Sequence, residues 1–282
     1  MLATVKSLFS KVLCSVHVNR FGSDFFQVNN GLKQGCLISP ILFSLYLNDL
    51  SQDLDNTQNG IKLDDSHITH LMYADDIVIM SDTPKGLQSL LDVLSKWCQK
   101  WKLNVNLNKT KVVHFRPGPK TNLTTSEFCF GTDVLEIVPQ YKYLGLIFTE
   151  FLDFNVMVKN VAKAASRALG LLISKSKAYG GTPYDCYIFL YDSMVQPIID
   201  YGAAIWGSNS YSCISAVQHR AERYFLGVGK YTPNSALQGE LNWKTPGRRQ
   251  WCCVTKLWCR LLSMDATRLN AVTFRWAYHK IG

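Results

Sequence analysis

Residues 70–80 read His-Leu-Met-Tyr-Ala-Asp-Asp-Ile-Val-Ile-Met, so two adjacent carboxylates, Asp75 and Asp76, sit between two apolar runs. A pair of like charges in an apolar segment costs free energy unless something positive holds it. The flanking residues, many of them β-branched, favour strands, and the segment reads as strand, turn, strand. Such a hairpin carries its carboxylates at the tip. Hard oxygen donors there suit Mg2+, which commonly takes one or two carboxylates and completes its shell with water and phosphate. Two such ions can activate an attacking hydroxyl and stabilise the leaving oxygen of a phosphoryl transfer. A hairpin that uses Asp-Asp only for its backbone tolerance fits the same residues. Taken alone, the segment leaves both readings open.

Upstream, "GLKQGCLISPILFSLYLNDL" places Gly31, Gln34 and Gly35 in a loop, with Ser39 as an N-cap and Pro40 at the first helical position. The helix is expected to run to about Leu54. Glycines allow close backbone approach to a ligand, and a helix N-terminus suits phosphate. Residues 1–13 read as a helix, and "SVHVN", "RFGSD" and "FFQVN" as a hairpin. Thr83 and Pro84 open a helix whose apolar residues Leu87, Leu90, Leu91, Leu94, Trp97, Cys98 and Trp101 keep 3,4 spacing. Residues 111–115 and 135–149 are strand-like. From about residue 155 the period turns helical. Val158, Val161, Ala162, Ala165, Ala168, Leu169 and Leu172 form one stripe, closed by Gly180-Gly181. Thr182-Pro183 is expected to start the next helix and residues 212–226 to form a third, while the last 50 residues are basic, tryptophan-rich and only weakly periodic.

Charge divides the chain. Residues 1–150 carry 14 basic and 14 acidic side chains, whereas residues 151–282 carry 16 and 7 and supply the whole net charge of +9. That asymmetry fits a polyanion held by one part and worked on by another, and equally a solvated surface. The nine cysteines lack C-x-x-C spacing and lie mostly in apolar segments, so they read as buried thiols of a reducing, intracellular compartment, cytoplasmic or nuclear. The spacing of Cys252, Cys259 and His279 is poor for zinc. No apolar run has the length of a membrane span, and no membrane partner is expected. The acid-poor N-terminus invites comparison with a transit peptide, but a packed helix fits better because no small-residue cleavage site follows.

In order, "GLKQGCLISPILFSLYLNDL", "YADD", "LNVNLNKTK" (103–111) and "YKYLGL" (141–146) resemble the reverse transcriptases of non-LTR, LINE-type retrotransposons. The later "VQPIIDYGAAIWG" and "LGVGKYTPNSALQGELNW" resemble the region after the polymerase core in those elements. The resemblance implies an α+β fold: a partial right-hand palm with an antiparallel sheet over residues 1–150, a helical thumb over 151–230, and a basic extension over 231–282. It also implies RNA template, DNA primer and dNTP as partners, with two Mg2+ ions in the complete enzyme. By the same resemblance Asp75 and Asp76 would bind metal, and Tyr73 and Ala74 would lie near the primer end and incoming nucleotide. Gln34 and Gly35 would line the nucleotide and template pocket. Lys109 would meet the triphosphate or protonate pyrophosphate, although an exposed turn lysine fits the same position. Tyr143, Leu144 and Gly145 would form the primer grip, and Lys159, Lys163 and Arg167 would follow the duplex backbone.

Two departures stand out. Lys102 occupies a position where the family commonly has glycine before Leu103. The family's other catalytic aspartate belongs to an earlier strand, in a pattern resembling Asp-x-x-x-Ala-Phe-Asp. Asp24, ten residues before Gln34, is too close to it for the helical crossover that parallel strands require. The expectation is therefore a chain lacking that aspartate, the fingers and any upstream endonuclease portion. Its palm sheet would have an exposed edge, and by itself it would not extend a primer. The alternative is a non-catalytic remnant that binds RNA or DNA through its basic C-terminal half.

Overall fold

A computed structural model describes residues 2–28, 31–33, 35–64 and 66–281. The chain packs as two units, Met1–Asn106 with Ser126–Leu135, and Leu107–Thr125 with Glu136–Gly282. Packing thus cuts the chain at 107 and 136, a different division from the one drawn at 150 and 230 from charge and period.

In the first unit, helix α1 (Leu2–Phe9) is followed by four short strands: β1 (Val12–Cys14), β2 (His17–Val18), β3 (Phe21–Gly22) and β4 (Phe26–Val28). The expected helix over 1–13 therefore stops at Phe9, because Val12–Cys14 pairs with Phe26–Val28 in an antiparallel ladder. Inside that ladder β2 and β3 close through Asn19 and Arg20, both at positive φ, as a two-residue hairpin requires.

Helix α2 (Ser39–Asp55) and helix α3 (Pro84–Trp101) supply the core. Leu47, Leu50 and Leu54 of α2 meet Leu90, Leu94, Trp97 and Cys98 of α3. Between the two helices run β5 (Ile61–Leu63), β6 (Ser66–Ile68), β7 (His70–Tyr73) and β8 (Asp76–Ile79), and β9 (Phe128–Phe130) and β10 (Asp133–Leu135) complete the unit. Thr83 caps α3 as its sequence predicts, its hydroxyl accepting from the Gly86 amide at 3.1 Å. Ser39 does not cap α2. It lies inside the first turn, and its hydroxyl donates to the Lys33 carbonyl at 2.8 Å, tying the preceding loop to the helix.

The second unit holds a hairpin, β11 (Gln140–Tyr143) and β12 (Leu146–Thr149), and eight helices among its described residues: α4 (Asn155–Ala178), α5 (Tyr184–Met194), α6 (Gln196–Ile199), α7 (Ala203–Trp206), α8 (Ser212–Leu226), α9 (Asn234–Leu241), α10 (Pro246–Leu262) and α11 (Leu269–Ile281). The predicted stripe of α4 is its buried face, packed on Tyr187, Tyr191, Ile199, Trp206, Ile214 and Val217. Lys175 and Lys177 in its last turn complement the helix dipole, and the Gly181 amide donates back to Ser176 O at 2.9 Å. Thr182 does not cap α5. Its hydroxyl donates instead to Ser176 Oγ at 2.6 Å.

The chain is a mixture of helices and small antiparallel strand pairs. The single antiparallel sheet expected from the sequence is replaced, among the described residues, by six separate two-stranded ladders. The strand expected over 111–115 is reduced to one parallel bridge, Val112 with Ile137. The buried-thiol expectation also fails in part: Cys98 is buried, whereas Cys186, Cys252 and Cys259 are exposed. No helix is long and apolar enough to cross a membrane.

Candidate functional site

Strands β7 and β8 pair in the register His70–Ile79, Leu71–Val78, Met72–Ile77 and Tyr73–Asp76, leaving Ala74 and Asp75 as the turn. Ala74 takes a left-handed φ of 53°, which reverses the chain tightly enough to set the two aspartates side by side. Met72, Ile77 and Ile79 pack against the core of the first unit, so the strands are anchored while the tip is solvated. Asp75 and Asp76 are both exposed. Solvent therefore hydrates the two charges, and the burial cost expected from the apolar flanks does not arise. Two adjacent, accessible carboxylates match the hard-oxygen donors that Mg2+ takes alongside water and substrate phosphate. Among the described residues, no group of three or more His, Cys, Asp and Glu side chains gathers as a metal site, so Asp75 and Asp76 fit as part of a shared site.

The base of the hairpin is fastened by a network that the sequence did not advertise. His70 Nε2 lies 2.9 Å from the Ser51 hydroxyl, and Nδ1 lies 2.8 Å from the Thr69 hydroxyl and 3.5 Å from Asp55. Thr69 donates its only hydroxyl proton to Asp55 at 2.5 Å. It must then accept from His70, which assigns the proton to Nδ1 and makes Nε2 the acceptor for Ser51. Burial pushes the imidazole below its ordinary range, and Asp55 opposes that shift. Ser51 and Asp55, one helical turn apart on α2, are the available signal: two small polar groups on one face of a helix.

The remaining loop residues fall as follows. Gly35 has a φ of 79°, with open space where a side chain would stand, so the loop before α2 exposes its backbone. Gln34 lies outside the described residues. Hydrogen bonding from the Ile38 amide holds the neighbouring Cys36 thiol below its usual range.

In the second unit, Tyr141 donates to the Lys109 carbonyl at 2.7 Å, which lays the segment containing Lys109 along β11. Arg116 continues that attachment, with Nε 3.1 Å from Glu150 and the guanidinium over Phe151. Leu144 and Gly145 form the turn of the β11–β12 hairpin, both at positive φ. Gly145 is doubly constrained, since a Cβ there would come within 2.8 Å of the Tyr201 hydroxyl, which itself donates to Leu144 O at 2.7 Å. Tyr143 ends β11 and is partly buried. Lys159, Lys163 and Arg167 are exposed and spaced four residues apart, so they share the outer face of α4.

Lys102 closes α3 in the left-handed conformation, with φ 56° and ψ 39°. A left-handed helix terminus favours glycine, so the residue that departs from the expected pattern occupies a position where a side chain is strained.

A helix-backed antiparallel hairpin tipped by two carboxylates is consistent with a polymerase palm-like domain. The family described as "Reverse transcriptase (RNA-dependent DNA polymerase)" matches residues 2–148, just over half of the 282 residues, and the chain belongs to it. The chain is similar to the "RNA-directed DNA polymerase from mobile element jockey" of Drosophila melanogaster, 25% identical over 228 residues that cover 76% of this chain and 23% of the relative. It is likewise similar to the "Probable RNA-directed DNA polymerase from transposon BS" of the same species, 28% identical over 225 residues, 76% of this chain and 24% of the relative. A shorter similarity, 32% over 141 residues, joins it to the "Retrovirus-related Pol polyprotein from type-2 retrotransposable element R2DM" of that fly, covering 48% of this chain and 13% of the relative. The chain spans about a quarter of the length of the first two relatives.

Proposed function

We propose that these residues belong to an RNA-directed DNA polymerase that adds dNTPs to a primer 3′-hydroxyl on an RNA template. The observation that carries this reading is the exposed Asp75–Asp76 pair at the tip of β7–β8, within the segment matched by the reverse transcriptase family. Asp75 and Asp76 would hold Mg2+, which when bound supplies positive charge to the attacking and leaving oxygens. Tyr73, 64% exposed beside that tip, offers a face to the primer end or incoming nucleotide together with Ala74. Gln34 and Gly35 are assigned to the nucleotide and template pocket, and Lys109 to the triphosphate or the leaving pyrophosphate. The β11–β12 turn, with Tyr143, Leu144 and Gly145, serves as primer grip. In a palm, thumb and basic-extension division at 150 and 230, Lys159, Lys163 and Arg167 give the thumb a sequence-independent grip on nucleic-acid backbone. The nine cysteines without paired spacing suit an intracellular setting, cytoplasmic or nuclear.

The polypeptide of these 282 residues is proposed to be inactive alone, with another aspartate and the fingers needed to complete the site. Primer extension tests both halves of the reading. Residues 2–148 placed in the matching segment of the jockey polymerase should support Mg2+-dependent dNTP incorporation, and Asp75→Ala should abolish it. Incorporation by the 282-residue chain alone, lost on Asp75→Ala, would overturn the proposed dependence. The charge excess of residues 151–282 favours a second reading, a non-catalytic remnant that binds RNA or DNA. Salt-dependent nucleic-acid binding, with a jockey chimera that fails to polymerise, would select it.

A further inference from the structure

The last third of the chain builds a second concave surface that the polymerase reading leaves unused. It is a cavity of about 510 Å³ between α8 and the start of α9, lined among others by Ser215, His219, Arg220, Arg223, Lys230 and Asn234. All of it lies beyond residues 2–148, the segment matched by the family. No carboxylate lines it. Among the described residues, Arg220, Arg223 and Lys230 form no ion pair.

The geometry holds these charges in place without neutralising them. Arg223 Nη2 donates to Thr232 O at 2.9 Å and to Asn234 Oδ1 at 2.6 Å, both uncharged acceptors. Its Nε is buried without a hydrogen-bond partner among the described residues. Glu222, the acidic residue closest to this surface in the sequence, is fully buried and turned to an interior network. Its carboxylate accepts from Gln218 Nε2 at 2.9 Å and pairs with His219 Nδ1 at 2.8 Å. Gln218 in turn accepts from Arg249 Nη1 at 2.8 Å, and Arg249 Nε donates to Asp200 at 3.0 Å. This chain of bonds fixes the His219 ring in the cavity wall. Beside the rim, Tyr231 is 85% exposed, with the Lys230 ammonium 4.8 Å from its ring centroid.

We propose that α8, α9 and the loop between them form a site for single-stranded nucleic acid, seating a backbone phosphate against Arg220, Arg223 and Lys230 and stacking a neighbouring base on Tyr231. Binding of this kind combines cationic contacts to the backbone with an aromatic platform for the base. A free phosphate engages only the cations. A duplex keeps its bases stacked inside, away from Tyr231. The inference goes beyond the polymerase reading, since this binding needs no catalysis.

The test is fluorescence anisotropy of the full 282-residue chain with fluorescein-labelled oligouridylate, over a salt titration from about 50 to 200 mM. The paired change Arg220→Glu with Lys230→Glu should weaken binding at least about tenfold. It should also flatten the log K against log salt slope by about 1.4, at roughly 0.7 per lost single-strand phosphate contact. Tyr231→Ala should weaken binding about five- to 150-fold with the slope unchanged. Arg220, Lys230 and Tyr231 are exposed, and a circular dichroism spectrum matching the parent verifies the fold of each variant. Wild-type affinity and slope in the charge-reversed chain overturns the proposal. So does loss confined to a separate Lys159→Ala, Lys163→Ala, Arg167→Ala chain, which would assign binding to α4. A duplex of equal length binding as tightly as the single strand, or inorganic phosphate displacing the RNA at equal phosphate concentration, overturns the single-strand assignment. Primer extension plays no part in these readouts, so failure of the polymerase reading leaves this test intact.

Discussion

Replacing His70 by alanine removes the bolt between α2 and the hairpin that carries Asp75 and Asp76. The side chain is 11% exposed and makes two short hydrogen bonds, to Ser51 and Thr69. At about 1 kcal/mol net for each, His70→Ala should cost about 2 kcal/mol, before any loss of packing. With a urea dependence of about 2 kcal/mol per molar, the midpoint should fall by about 1 M. Trp97 and Trp101 lie in the adjoining core and report the transition by fluorescence. The sign of the pH effect follows from burial. The folded state holds the imidazole below its ordinary 6.5, whereas the unfolded chain takes up a proton near that value. Below about pH 6.5 the unfolded state binds more protons, so the stabilisation present above that pH is lost as pH falls through the folded-state value. The wild type should therefore lose more stability than His70→Ala between pH 7.5 and 5.5. An unchanged midpoint in the variant, or the same pH dependence in both proteins, would refute the bolt.

Two further outcomes follow from single positions. Lys102→Gly should stabilise the chain by about 1 kcal/mol, because the left-handed terminus of α3 strains a side chain; an unchanged or lower urea midpoint would contradict that. Glu222→Ala should cost about 3–5 kcal/mol, since it leaves Gln218 and His219 buried without their shared carboxylate. A loss under 1 kcal/mol by chemical denaturation would show that solvent reaches the network.

Much of the local structure was legible because its causes are local. Thr83 and Pro84 announce α3, and the 3,4 spacing of Leu90, Leu94, Trp97 and Cys98 marks its buried face. The β-branched residues around Asp75 and Asp76 define two strands whatever they pack against. The stripe of α4 likewise needs only its own period. Helices α10 and α11 escaped the reading because their large apolar residues do not form one buried stripe. Trp251, Trp258 and Leu262 of α10 and Tyr278 of α11 are exposed.

The sequence by itself determined the order of helices and strands, the tip of the β7–β8 hairpin and the polymerase family. Those properties depend on neighbours a few residues apart and on motifs kept in order. Tertiary structure decided the rest. It reduced residues 111–115 to one bridge and divided the strands into separate pairs. It also joined Asp55 to His70, and Asp200 through Arg249 to Glu222. Strand pairing and buried polar networks form between groups that packing brings together, and no local period in the chain encodes which groups those are.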